Sequence, residues 1–161
     1  MKRALPILLS SLIAVAGAAS IAPAQAVDTH KIVSSQEIQW RSAPPAYPPG
    51  AQAAVLHGDP GQDGSFVTRL KFPKGFQIAP HWHPTPEVVT VISGTFRLGM
   101  GETADPSKAQ ALPAGSLIVL PPQMAHFASA DEETVVQINA NGPWGITYVN
   151  PKDDPRQQKS Q

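Results

Sequence analysis

Residues 79–94 read APHWHPTPEVVTVISG: two histidines and a glutamate within seven residues, hemmed by prolines and running into a valine-rich segment. On an extended chain the side chains alternate faces, so His81 and His83 project together, about 6 to 7 Å apart, while Trp82 projects the other way, toward a second sheet. Glu87 follows the turn signalled by Pro84, Thr85 and Pro86, where a returning strand can bring its carboxylate back beside the imidazoles. Imidazole and carboxylate together suit a transition-metal ion. A lone H-x-H arises often by chance and among satisfied core histidines, so this triplet takes its weight from the chain around it.

That chain repeats one theme. Short β-branched or aromatic runs, SFVTRLKF (65–72), EVVTVIS (87–93), TFRLGM (95–100), SLIVL (116–120), TVVQINA (134–140) and ITYV (146–149), are cut by Gly, Pro and Asp. Runs of this length and spacing predict an all-β, antiparallel sandwich or barrel. In the first run Phe66, Thr68, Leu70 and Phe72 share one face and Val67, Arg69 and Lys71 the other, the pattern of a half-exposed strand. EVVTVIS is apolar on both faces and is expected to lie deeper, covered outside by a second sheet or a second subunit. The only helix-compatible segment, PSKAQAL (106–112), is too short to matter.

The N-terminus places Lys2 and Arg3 before an apolar run that closes on Ala24 and Ala26 at A-x-A spacing, a secretory signal covering residues 1–26. An uncleaved anchor is the alternative, weakened by Pro6, Pro23 and the many small residues. The expected location is the periplasm or outside the cell, with no membrane span in the mature form. The mature chain, Val27 to Gln161, is 135 residues with 10 basic against 12 acidic side chains, a formal charge of −2 that argues against a nucleic-acid partner. No cysteine is present, so disulfides, thiolate ligands and cysteine nucleophiles are excluded. Any metal must be held by nitrogen and oxygen. Residues 27–63 read as a proline-rich arm with one or two edge strands, 64–149 as the β-domain, and 150–161 as a polar, flexible tail.

Two spacings then carry a family resemblance. Gly75, His81, His83, Glu87 and Gly94 are separated by five, one, three and six residues; Gly115, Pro121, Gln123 and His126 follow at intervals of five, one and two. In this order the two sets resemble the paired signatures of the cupin superfamily, and with the closing stretch GPWGITYVNP, the small secreted bacterial cupins in particular. Gln123 and Ala130 depart from the pattern, standing where glycine and asparagine are usual. The resemblance implies a single-domain jelly-roll β-barrel whose interior holds one divalent transition metal on His81, His83, Glu87 and His126. That N/O donor set suits Fe, Mn, Ni, Cu, Co or Zn better than Mg or Ca. Pro121 and Pro122 are expected to shape the turn presenting His126, and Gly75, Gly94 and Gly115 to serve turns. His30 and His57 are isolated and read as solvated or capping residues.

Four protein ligands on an octahedral ion leave two positions open, which permits catalysis without requiring it. The leading expectation is a metal-dependent dioxygenase-like enzyme acting on a small organic substrate. The resemblance to quercetinase-like cupins implies that Glu87 doubles as the base for the substrate hydroxyl. The alternative is a noncatalytic, metal-dependent binder or sensor of a small molecule; a structural ion in an oligomer scaffold is weaker. Gln123, Gln137, Asn139 and Tyr148 are candidate pocket-lining residues under either, and Trp144 is either a core aromatic or part of the pocket rim. An isomerase would need a further acid/base pair, for which no side chain is convincingly placed. The arm and the doubly apolar strand predict a homodimer. Because histidines must be neutral to coordinate, release of the ion is expected as pH falls near or below about 6.

Overall fold

Phe66, Thr68, Leu70 and Phe72 do point inward along one nine-residue strand, with Val67, Arg69 and Lys71 half-buried on its outer side. This strand lies in the first of two antiparallel sheets of a computed structural model that describes residues 30–157. The signal expected at 1–26 lies outside the described residues, as do 27–29 and 158–161. Every element below belongs to the unit that begins at Val33.

The first sheet runs in spatial order β1 (Arg41–Ser42), β2 (Gln52–His57), β3 (Gly64–Phe72), β10 (Thr134–Gly142), β5 (Glu87–Ser93) and β8 (Leu117–Leu120). The second runs β11 (Thr147–Tyr148), β4 (Gln77–Trp82), β9 (His126–Ala130), β6 (Thr95–Met100) and β7 (Gln110–Pro113). The inner faces enclose one core that includes Phe66, Leu70, Phe72, Val91, Phe96 and Val136. Phe72 stacks on Phe76 at 4.9 Å between ring centroids. Helix among the described residues is confined to single 3-10 turns. PSKAQAL divides into one such turn, Pro106–Lys108, and the start of β7.

The outer side of β5 departs from expectation. Val88 and Thr90 are half-buried and Ile92 is exposed, and the adjoining edge strand β8 exposes Leu117 and Val119. The second sheet covers only the inner face of the first. The apolar outer positions reflect β-propensity as well as burial.

The chain crosses between sheets at two places that matter for the site. Between β4 and β5, residues 83–86 carry it from the second sheet to the first; between β5 and β6, Gly94 carries it back. The arm enters through β1 and β2 on the edge of the first sheet, with a turn at Pro44–Tyr47 closed by the Tyr47 N–H donating to the Pro44 carbonyl at 2.9 Å.

Candidate metal centre

His81 reaches the interior because β4 is irregular. Ile78 pairs with Ala128 and His81 with His126, so three steps on β4 face two on β9. The extra residue falls at Ala79–Pro80, where proline has no N–H to give the ladder, and a bulge results. Pro80 and His81 are consequently both buried, against the strict alternation. His81 and His126 thus come from neighbouring strands, His83 from the crossing just beyond β4, and Glu87 from the first position of β5. Trp82 faces away from this group, half-buried rather than in the core that the sequence suggested.

The turn before His126 explains one departure from the family pattern. Gln123 has φ +61°, the only positive φ on a non-glycine residue among those described, and its N–H donates to the His83 carbonyl at 2.8 Å. A glycine would take that conformation without steric cost. Gly75, Gly94 and Gly115 have φ of +77°, +75° and +89°, as turn glycines should.

Each imidazole is oriented by a backbone carbonyl. The Nδ1–H groups of His81, His83 and His126 donate to the carbonyls of Ala79, Gly145 and Met124 at 2.8, 2.7 and 2.9 Å. A carbonyl accepts only, so the facing nitrogen must carry the proton and Nε2 presents its lone pair. Ligating atoms of the three histidines lie within 4.8 Å of one another. Oε1 of Glu87 lies 3.3 Å from Nε2 of His126 and 3.6 Å from Nε2 of His83. Two donors each about 2.1 Å from a common ion stand about 3.0 to 3.4 Å apart at cis-octahedral to tetrahedral angles. All four side chains are buried. Three lone pairs and a carboxyl group converging, with no Lys or Arg among the residues that line the cavity, is a good arrangement for a divalent cation. The residues fit the group.

Burial controls protonation here. Desolvation pushes His83 down to about 4 and lowers His81 and His126, with the mutual repulsion of the imidazoles adding to the effect on His81 and His83. Desolvation also pushes the Glu87 carboxyl up to about 8. In the metal-free chain at pH 7 the histidines are therefore neutral and Glu87 holds a proton that an incoming cation must displace. The sign follows: affinity rises with pH up to about 8, falls about tenfold per unit below it, and falls more steeply once protons compete for the lowered histidines, His83 at about 4. Titrating zinc into the metal-free chain at pH 7 in dilute buffer should release close to one proton more per ion than in Glu87→Gln. Equal release from both would remove Glu87 from the exchange.

The cavity beneath the cluster is small, about 30 Å³, room for an ion and a few water-sized atoms. Its polar lining consists of His81, His83, Glu87, His126 and Tyr47; the remainder is aliphatic, phenylalanine and alanine. All four of the sequence-derived pocket residues lie outside this lining. Gln137 and Asn139 occupy outward positions of β10, where Gln137 bonds to Arg69 and to Asn139, because Val136 and Ile138 take the inward positions. Gln123 is exposed on its turn. Tyr148 is buried, but its hydroxyl donates to the Ala46 carbonyl at 2.8 Å and holds the arm. His57 is exposed at the end of β2. Trp144 lies flat on His83, 4.1 Å between centroids and 16° between planes, and meets Phe66 edge-on. Tyr47, which the sequence reading passed over, signals itself only as one of two large aromatics in a proline-rich arm.

Residues 60–142 match the sequence profile of the cupin family. No curated protein matches the chain by sequence. Among solved structures, the polyketide cyclase RemF from Streptomyces resistomycificus aligns with a TM-score of 0.66 at 17% identity, over 79% of this chain and 90% of that one. An RmlC-like cupin from Shewanella frigidimarina gives 0.54 at 15%, over 70% and 91%. Salicylate 1,2-dioxygenase from Pseudoaminobacter salicylatoxidans gives 0.51 at 14%, over 62% of this chain and 30% of that one. At these identities the likeness is one of fold.

Proposed function

We propose that this chain, which belongs to the cupin family, is a metal-dependent enzyme of oxygenase type acting on a small organic substrate. The supporting observation is the composition of the cavity wall: apart from Tyr47, every polar side chain lining it belongs to the cluster of three histidines and one glutamate. No acid/base pair stands apart from that cluster, so chemistry in this cavity must run through it. The proposed ligands are His81, His83, Glu87 and His126. An Fe, Mn, Ni, Cu or Co ion there supplies Lewis acidity and access to redox chemistry with dioxygen. The chain's own part is to fix three Nε2 lone pairs through carbonyl bonds, to exclude water with an apolar wall, and to offer Glu87 as the carboxylate that takes a substrate proton.

The size of the cavity favours a second reading. A volume of about 30 Å³ admits a diatomic or a very small chelator more readily than an aromatic ring, which suits a noncatalytic binder or sensor of a small metal-chelating molecule. Metal analysis of the full chain, followed by oxygen uptake with catechols and small β-diketones, separates the two. Redox-active metal with substrate-dependent uptake supports the enzyme; zinc, no uptake and a ligand-dependent shift in melting temperature support the binder.

Export to the periplasm, with residues 1–26 removed, belongs to the same proposal; N-terminal sequencing of the exported product should begin at Val27. The homodimer is likewise proposed, with light scattering at twice the chain mass as its check. No helix among the described residues is long and apolar enough to cross a membrane.

A further inference from the structure

Tyr47 belongs to the arm, yet its side chain helps wall the cavity of the metal centre. Its placement is determined from several sides. The turn at Pro44–Tyr47 is closed at its base by the Ala43 N–H bonding the Ala51 carbonyl at 3.0 Å. The Ala46 carbonyl accepts from the Tyr148 hydroxyl, and Tyr148 is the cross-strand partner of His81 on β4. The arm is thereby tied to the strand that carries one of the proposed ligands. Trp144 stacks on His83, and the Tyr47 phenol lies near enough to Trp144 and to Glu87 to interact with both. Indole N–H can only donate, so toward Trp144 the phenol oxygen can only accept, and its own proton is free to be given elsewhere. The polar acceptors in the cavity are the Glu87 carboxylate and the imidazole lone pairs; a bound ion would take the imidazole lone pairs and one carboxylate oxygen, leaving the other oxygen and any ligand on the ion to accept from the phenol.

Resting on the metal-centre reading above, we infer that Tyr47 is a ligand-recognition residue: its phenol donates a hydrogen bond to an anionic oxygen of the small chelating molecule held at the centre. The ligand class is a compact, oxygen-donating chelator such as a hydroxamate, an α-hydroxy acid or a small enediolate. Trp144 is a positioning residue for this donor, since one indole both packs on His83 and orients Tyr47.

The test uses the full chain loaded with cobalt(II), with acetohydroxamate as the oxyanionic probe and ammonia as a small probe that keeps no lone pair once bound. Cobalt per chain and the visible cobalt spectrum are read in wild type, Tyr47→Phe and Trp144→Phe. Tyr47→Phe should retain one cobalt per chain, lose roughly tenfold or more in acetohydroxamate affinity, and bind ammonia within about twofold of wild type. Trp144→Phe, which keeps a ring on His83 but removes the N–H, should show a smaller selective loss. Equal acetohydroxamate affinity in wild type and Tyr47→Phe, or a parallel loss for both probes, would overturn the role of Tyr47 while leaving the metal centre standing. Failure of wild type to take up cobalt would overturn the metal-centre reading itself, and the inference with it.

Discussion

Replacing His126 by alanine should weaken metal binding by about two to three decades while leaving the barrel folded. A four-ligand protein site for zinc is worth on the order of 10 to 16 kcal/mol, so one of four ligands carries about 3 to 4 kcal/mol, two to three decades in affinity. The fold should survive because the pairs of His126 with His81 and with Met100 are made by backbone groups. The one side-chain bond lost is to the carbonyl of Met124, an exposed residue whose oxygen can turn to water. The metal-free variant should melt within about 5 °C of the metal-free parent, and the increment that zinc adds should be smaller in the variant than in the parent. A competitive zinc titration against a chelating indicator, with a thermal melt in parallel, reads both. An unchanged zinc affinity in the variant would strike His126 from the ligand set.

The legibility of this chain was uneven for physical reasons. Alternation exposed β3 directly, because it has one face in the core and one turned outward, and a two-residue period is the plain record of that arrangement. β9 left no such trace. Its sequence, HFASA, is small and mixed, and it is buried at four of five positions because it lies between β4 and β6 in its sheet and faces the core. The three histidines and Glu87 were legible as a set through the family resemblance that their spacing carries; Glu87 and His126 open β5 and β9, whereas His81 lies within β4 and His83 just beyond it. What spacing could not convey is the bulge at Ala79–Pro80 that turns His81 inward, or the outward positions of Gln137 and Asn139, which follow from β10's register against β3 and β5. Tyr47 was invisible for a different reason: it approaches the site from 34 positions before His81 through an irregular arm that has no period to read.

Of Gly75, Gly94 and Gly115, Gly94 should tolerate alanine least, and the contrast with Gly75→Ala shows why. Both glycines have left-handed backbone, φ +75° and +77°, so an alanine at either costs about 1 to 2 kcal/mol in backbone energy alone. At Gly75 a Cβ would meet nothing within 4 Å, and the cost ends there. At Gly94 it would stand 2.5 Å from the Glu133 carbonyl oxygen and 2.6 Å from Oγ1 of Thr134. Neither neighbour is free to give way: Thr134 is fully buried, and its hydroxyl is held between the carbonyls of Thr95 and Glu132. Relief therefore requires moving the start of β10 away from the crossing between β5 and β6, at a further cost of about 1 to 3 kcal/mol. Denaturant unfolding of the metal-free proteins should place Gly94→Ala about 2 to 5 kcal/mol below the parent and Gly75→Ala no more than about 2 below it. Because Glu87 begins the strand that ends at this crossing, a shift there should also loosen the metal centre. Gly94→Ala should then lose metal affinity as well as stability, whereas Gly75→Ala keeps it; equal destabilisation by the two would mean that backbone conformation alone, and not the close approach to Thr134, is why glycine stands at 94.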